Sequence, residues 1–228
     1  MNPPKKISVL LAEDHVIVRQ GLRSLLDVDG RFTMAGEART GREAVAMARS
    51  LRPDVILMDI AMPMLNGLEA TRQILAANPA AKVLVLSAHC EDEYLEQACA
   101  AGVAGFLEKH SSAEVLTRAI LAIHAGNTYF SQSIAKRLRC PASAPHIRSS
   151  RPKLNGVRLT SREAEVLQLV AEGLANKQIA TELRISIKTV EKHRQHLMDK
   201  LNIHDTAGLT RHAIAVGMIE STVQLTIV

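Results

Sequence analysis

The 228-residue chain has no tryptophan, two tyrosines and three phenylalanines, an aromatic share of 2%. All of them, Phe32, Tyr94, Phe106, Tyr129 and Phe130, lie in the first 130 residues. The C-terminal part therefore has no ring on which a base could stack, which disfavours a reader of single strands and favours a helix set into duplex DNA. Cysteine is also scarce. Cys90, Cys99 and Cys140 are odd in number, scattered and without metal-ligand spacing, so neither a disulfide framework nor a zinc site is supported. No apolar run approaches the roughly 18 residues of a membrane helix. The apolar segment behind Lys5 and Lys6 is cut by Glu13 and Asp14, which a secretory signal would not tolerate. A cytoplasmic protein with no membrane partner is expected.

Acidic residues are missing from one stretch. No Asp or Glu lies between Glu114 and Glu163, whereas Lys136, Arg137, Arg139, Arg148, Arg151, Lys153 and Arg158 do. Residues 1–130 hold 13 Lys/Arg against 15 Asp/Glu and residues 131–228 hold 15 against 8, so the two parts carry −2 and +7. Such an imbalance suits a polyanionic partner for the second part. With 47% hydrophobic and 22% charged residues the chain is of ordinary globular composition, and its length fits two domains.

The first part alternates β-branched runs with amphipathic segments, beginning with 7–12, 16–26, 32–38, 42–51, 55–58 and 65–76. It continues with 83–87, 94–101, 103–107 and 115–125. Five strand–helix units predict an α/β fold with a doubly wound, five-stranded parallel sheet, whose ligand site lies outside the carboxyl ends of the strands. Val18, Leu22 and Leu25 share one helix face, and Ser111 with Glu114 reads as a capping box opening the fifth helix. This domain is assigned to residues 1–128. Residues 129–156, rich in Pro, Ser and basic side chains, read as a linker with room for a short helix. Beyond it, 157–220 reads as a small all-α domain. It opens with a capping box at Thr160 and Glu163 and continues with helices over 176–183, 187–201 and 206–216. Residues 221–228 form a tail.

In the predicted sheet, strand one ends at Glu13 and Asp14, strand three at Asp59 and strand four at Ser87, while Lys109 follows strand five. Strands one and three flank the switch point, so three carboxylates converge. At an effective dielectric near 20, each pair about 4 Å apart repels by roughly 4 kcal/mol, and the cluster needs a cation. Hard oxygen ligands suit Mg²⁺, and an aspartate nucleophile beside that ion and a lysine can form an acyl phosphate.

The segments Leu10-Leu-Ala-Glu13-Asp14-His15, Asp54-Val-Ile-Leu-Met-Asp59-Ile-Ala-Met-Pro63 with Gly67, Leu86-Ser87-Ala88 and Gly105-Phe106-Leu-Glu-Lys109 resemble the response-regulator receiver domain, of flavodoxin-like fold, over about residues 7–125. The resemblance implies that Asp59 is the phosphoacceptor, that Glu13, Asp14 and Asp59 hold Mg²⁺, and that Lys109 pairs with the phosphoryl group. It also implies that Ser87 and Phe106 form the switch, and that the donor is a phosphohistidine on a sensor histidine kinase. Two positions depart from the family pattern: Glu13 stands where Asp is commoner, and Phe106 where Tyr is usual. An aspartyl phosphatase, as that family is known, needs a second acid two residues after the nucleophile. Ala61 stands there, so no enzyme is expected.

On a helix over 187–201, with 100° per residue, Glu191, Lys192, Gln195 and Asp199 all fall within about 60° of Lys188, opposite Val190, Leu197 and Leu201. The stripe suits a recognition helix, with 176–183 as its support. The segments Leu159-Thr160-Ser-Arg-Glu163-Ala-Glu-Val-Leu167, Glu172-Gly173-Leu-Ala-Asn176-Lys177-Gln-Ile-Ala180 and Ser186-Ile-Lys188-Thr189-Val190-Glu191-Lys192-His193-Arg194 resemble the LuxR-type helix-turn-helix over about 157–219. By that pattern Lys177, Lys188 and Thr189 reach phosphates, Glu191, Lys192 and Gln195 face base edges, and Arg194 belongs to the DNA-contacting set. His193 points to the flank, part core and part backbone contact. Receiver plus this domain is the NarL/FixJ arrangement. It implies a phosphorylation-controlled transcriptional regulator that forms a homodimer when phosphorylated and binds double-stranded DNA. A phosphorylation-independent DNA-binding protein, with the receiver as dimerisation scaffold, is the alternative.

Overall fold

The computed structural model describes residues 5–88, 92–130, 134 and 159–219. The chain divides into two compact units, Met1–Pro152 and Lys153–Val228. Cys90, Cys140, most of the stretch read as linker and the 221–228 tail lie outside the described residues.

The first unit runs β1 (Ile7–Ala12), α1 (Val16–Val28), β2 (Phe32–Ala38), α2 (Gly41–Leu51), β3 (Val55–Asp59), α3 (Gly67–Ala77), β4 (Val83–Ser87), α4 (Asp92–Ala101), β5 (Gly105–Glu108), α5 (Ala113–His124) and β6 (Tyr129–Phe130). The strands form one parallel sheet in the order β2-β1-β3-β4-β5-β6. Alternate residues of each strand feed two cores. Leu10, Ile56, Met58, Val83, Val85 and Phe106 pack under α2, α3 and α4 against Ala44, Leu68, Ile74 and Leu95. Val9, Leu11, Leu57, Leu84, Leu86 and Leu107 pack under α1 and α5 against Leu26, Leu116, Ile120 and Ile123. A strand buried on both faces has no polar face to show, which is why these runs read as unbroken apolar segments. Truncating a fully buried side chain such as Leu57 would cost about 2–5 kcal/mol.

Two details differ from expectation. The sheet has a sixth strand: Tyr129 and Phe130, the first residues of the stretch read as linker, pair with Gly105 and Phe106. Ile134, further along, is buried in the same core. The cap of α5 is Ser112, whose hydroxyl accepts from the Val115 N–H at 3.4 Å, and not Ser111, whose N–H bonds the Glu108 carbonyl at 3.0 Å.

The second unit holds α6 (Ser161–Ala171), α7 (Asn176–Leu183), α8 (Ile187–Leu201) and α9 (Thr206–Ala215). Val166, Leu169, Ile179, Val190, Leu197 and Leu209 are fully buried among them. The Thr160–Glu163 capping box is present. The turn from α7 to α8 has no glycine, and Arg184 takes the left-handed conformation there, with φ +52°.

Candidate functional site

β1 and β3 are neighbours whose chains leave the sheet in different directions, α1 covering one face and α3 the other. Their carboxyl ends place Glu13, Asp14 and Asp59 together, as the topology predicts. One ligand atom from each of these and from His15 lies within 4.8 Å of all the others. Lys109 Nζ stands 2.9 Å from Asp59 Oδ2 and 3.0 Å from Glu13 Oε2. Its hydrogen bond goes to Glu13 Oε1 at 3.2 Å. The Lys109 backbone N–H is tied to the Ser87 carbonyl at 2.8 Å, which fixes the lysine over the end of β4. Glu13 is fully buried, and Asp59 and Ser87 are 2% and 3% exposed.

Electrostatics follow from this enclosure. Burial first, and then the Glu13 charge, push the Asp59 carboxyl up to about 7 against the pull of Lys109. Burial works against the Lys109 ammonium, but Asp59 and Glu13 outweigh it and hold its pKa above the ordinary lysine value. The same contest at His15, burial against Asp14 and Glu13, raises the imidazole. Glu13 Oε2, Asp14 Oδ1 and Asp59 Oδ2 are occluded from water and take no well-directed hydrogen bond, only the charge contacts to Lys109 and His15. Three carboxylates facing one ammonium, with oxygen lone pairs left over, fit a hard divalent cation.

The surrounding loop is built for close approach. The Gly67 N–H donates to the Ile60 carbonyl at 2.8 Å, and a Cβ at Gly67 would stand 1.8 Å from the Asp59 carbonyl oxygen. Met64 absorbs the turn at φ +69°. Phe106 is fully buried on the α4 side of the sheet. Arg19, which has no role in the sequence reading, is 5% exposed. Its guanidinium donates to the carbonyls of Glu13 and Asp14 at 2.8 and 3.1 Å and faces Glu37 at 3.3 Å. It holds the backbone of both acids. The available signal was a charged residue at i and i+3 spacing to Leu22, inside the buried stripe of α1.

In the second unit Lys177, Lys188, Glu191, Lys192 and Gln195 are exposed. Val190 and Leu197 on the far side of α8 are buried and Leu201 half-buried. Ser186 caps α8 by accepting from the Thr189 N–H at 3.1 Å, and its hydroxyl pairs with that of half-buried Thr189 at 2.8 Å. Gln195 Nε2 donates to Asp199 at 2.8 Å. His193 is half-buried, its pKa lowered by burial and then by the Arg162 charge. Arg194 is tied internally: it donates to Asn176 Oδ1 at 2.8 Å and Thr206 Oγ1 at 3.0 Å, bridging the first residues of α7 and α9.

The comparisons agree in both units. Residues 9–121 match the model of the response regulator receiver domain, and residues 157–213 that of bacterial regulatory proteins of the luxR family. The transcriptional regulatory protein DegU of Brevibacillus brevis is 33% identical over 226 residues, covering 94% of this chain and 96% of its own. The response regulator UvrY of Escherichia coli (strain K12) is 34% identical over 212 residues, with 93% and 95% covered. A solved structure of two RcsB dimers bound to two parallel DNAs aligns at a TM-score of 0.56 and 25% identity, covering 93% of this chain and 100% of that one. No helix among the described residues is long and apolar enough to cross a membrane. The chain belongs to the NarL/FixJ-type response regulators, transcription regulators rather than enzymes, with a receiver domain followed by a LuxR-type DNA-binding domain.

Proposed function

We propose that Asp59 accepts a phosphoryl group from a phosphohistidine of a sensor histidine kinase, and that the modified chain dimerises and binds duplex DNA more tightly. The observation that carries this reading is Lys109 Nζ at 2.9 Å from a buried Asp59 carboxylate, with Glu13 and Asp14 alongside. In the transfer an Asp59 carboxylate oxygen forms the O–P bond as the P–N bond breaks, and the leaving imidazole nitrogen takes up a proton. Glu13, Asp14 and Asp59 would hold Mg²⁺, which supplies neutralisation of the carboxylate and phosphoryl charges. Lys109 faces both Glu13 and Asp59, so its ammonium orients the acceptor and then meets a phosphoryl oxygen. The Ser87 hydroxyl and the Phe106 ring respond to the modified group and bias the adjoining face between two packings. Ala61 offers no proton donor, so hydrolysis of the acyl phosphate is slow.

On the DNA side Lys177, Lys188 and Thr189 meet phosphates, while Glu191, Lys192 and Gln195 face base edges. Arg194 supports them from behind by fixing the starts of α7 and α9. A two-fold dimer reads paired half-sites about one helical turn apart. The receiver begins at residue 1 and runs past the expected boundary at 128 to take in β6 and Ile134; a basic linker joins it to the DNA-binding domain of residues 157–220, and the protein works in the cytoplasm. Intact-mass measurement after acetyl phosphate treatment, wild type against Asp59→Asn, followed by a DNA-shift assay, tests the whole reading. One added phosphoryl group on the wild type alone, with tighter binding, is expected. Unchanged mass and unchanged DNA affinity in the presence of Mg²⁺ would overturn it.

A further inference from the structure

We infer that His15 is a nitrogen ligand of the ion pocket and biases it toward late first-row divalent ions such as Co²⁺ relative to Mg²⁺. The inference rests on the reading of Glu13, Asp14 and Asp59 as the ion-holding carboxylates.

His15 Nδ1 lies 2.9 Å from Asp14 Oδ1 and 3.1 Å from Glu13 Oε1. Two ligands at right angles on an ion with bonds of about 2.1 Å stand about 3.0 Å apart. Nδ1 therefore already occupies the spacing of a neighbouring ligand to both carboxylates. The ring is brought there by its own backbone. His15 precedes α1 in an extended conformation, and its side chain does not cap the helix. Its N–H donates to Glu13 Oε1 at 3.1 Å, and its carbonyl accepts from the Arg19 N–H at 2.9 Å. At 54% side-chain exposure the ring remains open to water. Ligation through Nδ1 uses the neutral tautomer that carries its proton on Nε2 and leaves the Nδ1 lone pair for the ion. Carboxylate and water suit Mg²⁺, whereas imidazole raises affinity for cobalt, nickel and zinc.

The test is calorimetric titration of the tag-free full chain with MgCl₂ and with CoCl₂, joined to the visible absorption of bound Co²⁺. Wild type, His15→Ala, His15→Gln and Asp59→Asn are compared. Both His15 variants are expected to weaken Co²⁺ about tenfold or more while Mg²⁺ affinity stays within about twofold, which also shows that the pocket is still folded. The Co²⁺ band moves to longer wavelength as an oxygen replaces the nitrogen. Asp59→Asn weakens both ions. Equal effects of the His15 variants on the two ions, or none on Co²⁺, would overturn the inference and leave the carboxylate reading standing. Full-strength Co²⁺ binding by Asp59→Asn would place the ion on other histidines, again against it. A wild type that binds neither ion removes the carboxylate reading, and this inference with it.

Discussion

The charge surplus around Asp59 can be measured as stability. In the ion-free chain its carboxyl releases the proton at about 7, against an ordinary value of 3.8. Between those values the folded protein binds this proton and the unfolded chain does not. The contribution to stability is therefore greatest at low pH and is lost as pH rises through that window. The slope is about 1.4 kcal/mol per pH unit and the full loss, from the shift of 3.8 to about 7, is about 4 kcal/mol. Asparagine keeps the shape of the protonated acid and cannot ionise. Urea unfolding of wild type and Asp59→Asn in EDTA, followed by circular dichroism from pH 5 to 8.5, isolates the group by subtraction. Asp54 and Glu163, whose pKa values lie below the ordinary range, have the opposite slope but cancel because both proteins share them. The variant should be more stable by about 1–2 kcal/mol at pH 5 and by about 4 kcal/mol at pH 8. Added Mg²⁺ should narrow the gap, since a ligand of the folded wild type alone stabilises it by mass action. A pH-independent difference, or a variant less stable than wild type at pH 8, would refute the reasoning, because the Lys109 pair would then outweigh burial and repulsion.

Three further outcomes follow from the same geometry. Lys188→Ala should weaken binding to cognate and random duplexes alike and lower the salt slope by about one, whereas Gln195→Ala should mainly change sequence preference; equal losses on both DNAs for both variants would contradict that division. Arg194→Lys keeps the charge but loses the fork that joins Asn176 to Thr206. Filter binding should show weaker affinity for every sequence with an unchanged salt slope, and full retention by lysine would mark a simple phosphate contact instead. Gly67→Ala sets a methyl group 1.8 Å from the Asp59 carbonyl oxygen, so the receiver should lose at least about 2 kcal/mol by urea unfolding and label poorly with acetyl phosphate.

What the sequence revealed and what it hid have separate causes. Strands buried on both faces leave apolar runs that turn residues delimit, and parallel topology alone then carries Glu13, Asp14 and Asp59 to one edge. The helix stripe at Val190 and Leu197 was legible because periodicity reports burial. Periodicity assigns charges to solvent, however, and so hid Arg19, whose guanidinium is satisfied by two main-chain carbonyls that exist only once β1 and α1 are in place. The internal role of Arg194 was hidden for a similar reason, since its partners Asn176 and Thr206 lie 18 and 12 residues away in the sequence. Adjacent serines at 111 and 112 made the α5 cap ambiguous. The Ser-x-x-Glu spacing favours Ser111, but the bond from the Ser111 N–H to the Glu108 carbonyl closes the preceding turn and leaves Ser112 to cap. β6 has two residues and exists by pairing with β5, too short for any pattern.

The same surplus of negative charge ties the nucleophile to the cation. A carboxyl pushed up to about 7 keeps part of its population protonated at neutral pH, and the protonated form cannot attack phosphorus. Its ionised form is favoured wherever positive charge is added among Glu13, Asp14 and Asp59, so the acceptor becomes competent as the pocket fills. Labelling by acetyl phosphate at low Mg²⁺ should consequently rise through about pH 7 with the ionisation of Asp59. At saturating Mg²⁺ that rise should move to lower pH and leave the rate flat across neutrality. A pH profile that keeps its midpoint at every Mg²⁺ concentration would show that Asp59 ionises independently of the ion, and would separate the acceptor chemistry from the carboxylate cluster that surrounds it.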